Sequence, residues 1–131
     1  MTHVVRSSFT VRSYEGDSYG HLNNGVYLGW LEQGRLDWLL SKGFSYDGFA
    51  EREEWFVVGR TEVDFRAPLI VGQAIELHSE IERLGNSSVV FRQRMLTLEG
   101  ELACEAKTVM VFSAHGASIP IPADFRAAAE S

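Results

Sequence analysis

Asn24-Gly25-Val26-Tyr27-Leu28-Gly29-Trp30-Leu31-Glu32-Gln33-Gly34-Arg35-Leu36-Asp37-Trp38 is the stretch on which the fold turns. Tyr27, Trp30, Leu31, Gly34 and Trp38 fall at i, i+3, i+4, i+7 and i+11, the spacing of one helical face. Gly34 on that face lets the helix lie close on its neighbour. Lys42-Gly43 supplies a cation for the negative dipole end and a stop, so the pattern predicts a helix of about 18 residues beginning near Asn24. Glu32 and Arg35, three apart on an adjacent stripe, read first as a surface ion pair.

Outward from the helix the pattern changes to a period of two. Val57, Gly59, Thr61, Val63 and Phe65 alternate with Val58, Arg60, Glu62 and Asp64. Ile75, Leu77, Ser79 and Ile81 alternate with acidic residues and His78; Val89, Phe91, Gln93 and Met95 alternate with Arg92 and Arg94. Glu99-Gly100 then turns the chain into a run from Leu102 to Phe112. Val4 to Arg12 is extended in character. Each strand has one apolar face, so the sheet needs a cover on one side, and the long helix is the available cover. The predicted architecture is α+β: a roughly five-stranded antiparallel sheet wrapped around one long helix. The whole chain, residues 1–131, reads as a single domain, with 118–131, which holds Pro120 and Pro122, as a C-terminal surface tail carrying a short helix at most.

Composition narrows the function. Hydrophobic residues at 45% and charged residues at 23% describe an ordinary globular domain. A net charge of -6 argues against nucleic acid, whose affinity rests on Lys and Arg neutralising phosphates. Cys104, the one cysteine, lies in an apolar run and forms no intrachain disulfide. The N-terminus has no signal-like apolar stretch and nothing approaches a membrane span, so a cytoplasmic location without membrane contact is expected. His3, His78 and His115 lack metal-ligand spacing with one another or with Cys104.

Chemistry concentrates in the loop before the helix. Asp17-Ser18-Tyr19-Gly20-His21-Leu22-Asn23-Asn24-Gly25 crowds a carboxylate, a histidine and two asparagines against a helix N-terminus. Unpaired backbone N–H groups and the positive dipole end make such a terminus a site for an anion, including the oxyanion of a tetrahedral acyl intermediate. Capping alone accounts for Asn23 and Asn24, and an Asx-turn would account for Asp17. His21 fits loop fixing and chemistry equally.

The stretch Val11 to Tyr27, followed by Glu32 and Arg35, resembles the signature of the 4-hydroxybenzoyl-CoA thioesterase family, in particular its D-x-x-x-H-x-N-N-x-x-Y subgroup. Trp55 to Val58, Phe65 to Leu69, and Ile121 to Phe125 are similar to that family's second strand, its exit and its C-terminal ending. The resemblance implies a hotdog fold and an acyl-CoA thioesterase working as a homodimer or homotetramer with its sites at the subunit interface. It places Asp17 as the catalytic carboxylate, nucleophile or base, the backbone N–H of Asn24 as oxyanion donor, and His21 as an accessory group. Tyr27 and Gly20 fall in the substrate-binding region, with Arg83, Asn86 and Ser87 at the CoA contact. Arg60, Arg66, Arg92 and Arg94 are further cations for its phosphates. A thioester carbonyl is already activated and a thiolate leaves readily, so neither cofactor nor metal is expected. The alternatives are a noncatalytic acyl-thioester-binding protein and an enoyl-thioester hydratase.

Overall fold

The computed structural model describes residues 3–131. In chain order the elements are β1 (Val5–Thr10), a single 3-10 turn (Ser13–Glu15), α1 (Asn24–Ser41), α2 (Tyr46–Glu51), β2 (Trp55–Phe65), β3 (Ala74–Leu84), β4 (Ser88–Thr97), β5 (Leu102–Ala114), β6 (Ala117–Ser118) and α3 (Ala123–Glu130). The strands form one antiparallel sheet in the order β1-β3-β4-β5-β2, with the two-residue β6 paired to β5. α1 lies across β1, β3 and β4. This is the sheet around one long helix expected from periodicity, and the hotdog architecture that the family resemblance implies.

α1 has the predicted length. Asn23 caps it by accepting from the Gly25 N–H at 3.0 Å, and Gly43, at φ +84°, ends it in the left-handed conformation that glycine adopts without strain. Tyr27, Trp30, Leu31, Gly34 and Trp38 are all buried. The close approach at Gly34 is extreme: a Cβ there would stand 2.6 Å from both Leu77 Cδ2 and Ser79 Oγ. Beneath it Gln93 Nε2 donates to the Leu31 carbonyl at 2.8 Å and to Ser79 Oγ at 3.0 Å, so the one amide inside the sheet's apolar face is satisfied.

Two apolar clusters flank that seam. One joins Tyr27, Trp30 and Leu31 to Ile75, Leu77, Met95 and Cys104. The other gathers Trp38, Phe49, Phe56, Phe91, Phe112 and Phe125, with Phe56 stacked on Phe112 at 4.2 Å between centroids. The second cluster corrects the reading of 118–131 as a surface tail. Pro120 and Pro122 end the sheet, and then Ile121, Phe125 and Ala129 turn inward from α3 and its approach. Ala123 to Ala129 looks bland in sequence because alanine fits both a surface and a tight seat.

β2 departs from simple alternation. Its register against β5 shifts between Val58 and Arg60, a bulge at Gly59. Phe56 and Val58 therefore face inward opposite Phe112 and Met110, and beyond the bulge Thr61, Val63 and Phe65 do so. Val57, expected on the inner face, is outside. α2 is absent from the sequence reading, being only six residues long.

Candidate active site

The loop from Glu15 to Asn23 is a small hairpin laid against the turn that follows β2. The Asp17 N–H donates to the His21 carbonyl at 2.7 Å and the Gly20 N–H to the Asp17 carbonyl at 3.0 Å, with Gly20 at φ +76° closing the turn. Leu22 donates to the Leu69 carbonyl at 2.7 Å, and Val71 to that of Gly20 at 3.0 Å. Behind the loop the buried carboxylate of Glu15 takes the Arg12 N–H at 2.8 Å, and the Glu15 carbonyl takes the N–H of Asn23 at 2.8 Å. The helix start is thereby tied to the carboxylate-bearing turn through one residue.

Asp17 is exposed. Its Oδ1 accepts from the N–H groups of Tyr19 at 2.8 Å and His21 at 3.1 Å, an Asx-turn, while Oδ2 has no hydrogen-bond partner among the described residues. A pocket of ≈ 260 Å³ opens beside it, lined by Asp17, His21, Leu22, Asn24 and Tyr27 on one side and by Phe65, Arg66, Ala67 and Pro68 on the other. The Asn24 N–H, first in α1, has no backbone acceptor among the described residues. Asp17 and Asn24, whose amide opens α1, thus line one cavity, and a carboxylate beside a helix N-terminus is a combination that acyl transfer through an oxyanion can use.

Tyr27 stands at the back of the pocket with its ring edge-on to Phe65 at 4.9 Å. Burial pushes its phenol above the ordinary tyrosine range, with neighbouring Cys104 adding to the shift and a backbone hydrogen bond at Leu69 opposing it. It is a neutral wall. The imidazole of His21 lines the pocket, packs 6.3 Å from the Tyr19 ring and makes no hydrogen bond to Asp17; its backbone does the loop fixing. Gly20 serves the turn and stays outside the lining.

The expected CoA-contact residues lie elsewhere. Arg83, Asn86 and Ser87 sit at the β3–β4 hairpin, where the Asn86 carbonyl accepts from Ile121 and that of Ser87 from Phe112. That hairpin is at the far end of the sheet: Phe65, at the pocket, pairs with Cys104, whereas Ser88 pairs with Val111. Seven strand residues separate the two levels, about 23 Å. Within one chain the carboxylate and the hairpin never meet.

Of the other arginines, Arg92 is held by Glu105 at 2.9 Å and Arg60 pairs with Glu62, both on the solvated outer face; Arg66 stands at the pocket with Glu105 3.8 Å away. Phe65-Arg66-Ala67-Pro68 completes the pocket; of these four the sequence singles out Arg66 alone, as a cation for the CoA phosphates, and the others only as a family likeness. Its available signal was a proline ending a strand with a cation beside it. Glu32 and Arg35 form no surface pair. Arg35 is 5% exposed, its Nη1 donating to Gln93 Oε1 at 3.2 Å and Thr108 Oγ1 at 3.3 Å, while Glu32 is exposed.

Comparison with known proteins places the chain in a family. The thioesterase-like superfamily model matches residues 11–129. The long-chain acyl-CoA thioesterase FadM of Escherichia coli is 29% identical over 108 residues, covering 82% of this chain and 80% of FadM. The acyl-CoA thioester hydrolase YbgC of Escherichia coli is 29% identical over 103 residues, covering 77% of each chain. Among solved structures, a hypothetical protein TT1821 from Thermus thermophilus superposes with a TM-score of 0.88 at 29% identity, covering 95% of this chain and 96% of that one. Slr0204, a 1,4-dihydroxy-2-naphthoyl-CoA thioesterase from Synechocystis, superposes at 0.91 over 98% and 97% of the chains, and at 17% identity it speaks for the fold alone. The chain belongs to the thioesterase-like superfamily. It is an enzyme of the thioester-hydrolase class, a broader assignment than the 4-hydroxybenzoyl-CoA subgroup that its loop resembles. No helix among the described residues is long and apolar enough to cross a membrane.

Proposed function

We propose that this protein hydrolyses acyl-CoA thioesters to the free acid and CoA, with Asp17 as the catalytic carboxylate and the Asn24 N–H as oxyanion donor. The observation that carries the reading is the shared pocket, which is lined both by Asp17, whose Oδ2 is unengaged, and by Asn24, whose amide is open at the start of α1. The FadM and YbgC matches support the substrate class. The thioester carbonyl oxygen lies against the Asn24 amide, and the positive end of α1 stabilises the charge that develops there. Water adds to the carbonyl carbon, the C–S bond breaks, and CoA leaves as a thiolate that takes up a proton. Asp17 either removes the proton from that water or attacks first and is itself hydrolysed from the acyl group.

The site is completed by a second copy of the chain. β2 is an edge strand of 11 residues whose Trp55, Val57, Val58 and Phe65 are all exposed, an edge that a lone soluble domain would leave open to aggregation. Antiparallel pairing of β2 with its symmetry mate sets the Trp55 end of one subunit beside the Phe65 end of the other. That pairing brings the β3–β4 hairpin of one chain, with Arg83, Asn86 and Ser87, towards the Asp17 pocket of its partner. It resolves the separation found within a single chain.

A thiol-release assay across short, long and aromatic acyl-CoAs tests the activity. Wild-type protein releases CoA from at least one series, and Asp17→Asn with its fold retained reduces kcat at least about 100-fold. Undiminished turnover by Asp17→Asn would remove the mechanism.

A further inference from the structure

The β3–β4 hairpin is held from behind by the end of the chain. Three successive carbonyls of its turn are engaged: that of Gly85 by Arg126 Nη2, that of Asn86 by the Ile121 N–H at 2.8 Å, and that of Ser87 by the Phe112 N–H at 3.0 Å. Two of the three donors come from α3 and its approach. α3 is a firm base for them, because Phe125 and Ala129 are buried in the aromatic cluster. The half-buried Arg126 guanidinium is steadied a second time by Glu130, 3.6 Å from Nη1 and one helical turn on.

A trans peptide sets its N–H opposite its carbonyl. Drawing the Gly85 and Asn86 carbonyls inward therefore turns the N–H groups of Asn86 and Ser87 away from α3, and neither has a backbone acceptor among the described residues. Successive outward amides favour an anion. Arg83 stands at the same turn, exposed and in no ion pair among the described residues, and the neighbouring Glu82 is taken by Lys107 at 3.3 Å. Residues 83–87 thus carry two open amides and one free cation.

We infer that Arg126 is a positioning residue for CoA: by gripping the Gly85 carbonyl it presents the Asn86 and Ser87 amides, with Arg83, to a phosphate of the CoA whose thioester lies in the Asp17 pocket of the other subunit. This rests on the thioesterase reading above and adds to it a residue outside the hairpin. Arg126 itself does not touch the ligand. Without its bond the Gly85–Asn86 peptide is free to rotate, and an amide spread over several orientations must be ordered at an entropic cost when the phosphate binds. The effect is confined to the nucleotide end of the substrate and does not reach the thioester.

Calorimetry with CoA itself measures this site without turnover. Hydrolysis of one acyl group carried on CoA and on pantetheine, which presents the same thioester and no phosphate, measures what the site contributes to catalysis. Arg126→Met, which keeps the aliphatic stem, weakens CoA binding about tenfold and raises KM for acyl-CoA by a like factor with kcat unchanged, and it leaves acyl-pantetheine hydrolysis as in wild type. Arg126→Lys, which keeps a donor for the Gly85 carbonyl, recovers part of the affinity. Because Arg126 acts through the hairpin, combining Arg83→Ala with Arg126→Met loses less CoA affinity than the two single losses taken together. Equal losses on acyl-CoA and acyl-pantetheine mark a purely structural role and overturn the inference. Unchanged CoA affinity in Arg126→Met, fully additive losses in the double variant, or failure of wild type to bind CoA also overturn it. Absence of thiol release with the CoA-binding pattern intact would sink the catalytic reading and leave the role of Arg126 standing.

Discussion

The backbone N–H of His21 donates to Asp17 Oδ1 at 3.1 Å, so one oxygen of the proposed catalytic carboxylate is spent on the turn that presents the other. The two duties are separable by substitution. Asn keeps a carbonyl oxygen for the N–H groups of Tyr19 and His21, whereas Ala keeps nothing. Asp17→Asn therefore holds wild-type stability while losing turnover, and Asp17→Ala loses turnover and about 1–2 kcal/mol of stability besides, at about 1 kcal/mol for each bond removed. Denaturant unfolding of the pair, run beside the thiol-release assay, checks this.

Two glycines of α1 give opposite answers to the same change. A Cβ on Gly34 meets Leu77 and Ser79 at 2.6 Å, so Gly34→Ala destabilises by about 1–3 kcal/mol after α1 is lifted from the sheet. Nothing stands within 4 Å of a Cβ on Gly29, and Gly29→Ala stabilises by about 0.5–1 kcal/mol through helix propensity alone. Urea midpoints at constant m-value measure both.

Burial in the apolar run raises the Cys104 thiol to about 11, with Asp64 and Glu105 adding to it. An unfolded thiol ionises near about 8.5, so the folded state's preference for the neutral form is fully present below that pH and is lost as pH rises towards 11. The stability difference between wild type and Cys104→Ala, followed from pH 8 to pH 11, narrows with rising pH. Iodoacetamide at pH 8 leaves Cys104 unmodified in native protein and labels it after denaturation, read by mass spectrometry.

α3 is a structural element of the core, and Phe125 is its anchor. Truncation in Phe125→Ala costs about 3–5 kcal/mol. Asp124→Asn, which weakens the exposed pair with Arg52 at 2.8 Å, costs under about 1 kcal/mol. Calorimetric melting of the two variants distinguishes a packed C-terminus from a salt-bridged surface one.

Periodicity made α1, β3 and β4 legible, because in each of them one face is buried, with Ser79, Gln93 and Thr97 the polar residues on the inner rows of the two strands. It failed at β2, where the bulge at Gly59 shifts the parity and sends Val57 outward, a displacement that no alternation count contains. Arg35 was misjudged for a related reason. Its i, i+3 neighbour Glu32 is visible in the sequence, but its actual partners Gln93 and Thr108 are 58 and 73 residues away, brought in by the sheet. Asp17, His21 and Asn24 line one pocket because they are neighbours in a single loop, which the sequence displays, and the Phe65 to Pro68 wall was obscured because it reaches them only through tertiary packing.

The roughly 23 Å of strand between the level of Phe65, at the Asp17 pocket, and the β3–β4 hairpin of the same chain has a genetic meaning. If each site borrows its hairpin from the neighbouring molecule, a lesion at Asp17 and a lesion at Arg83 and Asn86 damage different halves of a site. Two inactive preparations carrying one lesion each would then recover activity after being unfolded together and refolded, since every mixed pair contains one intact combination. Recovery up to about a quarter of the wild-type rate per chain follows from random assortment, one good site in four.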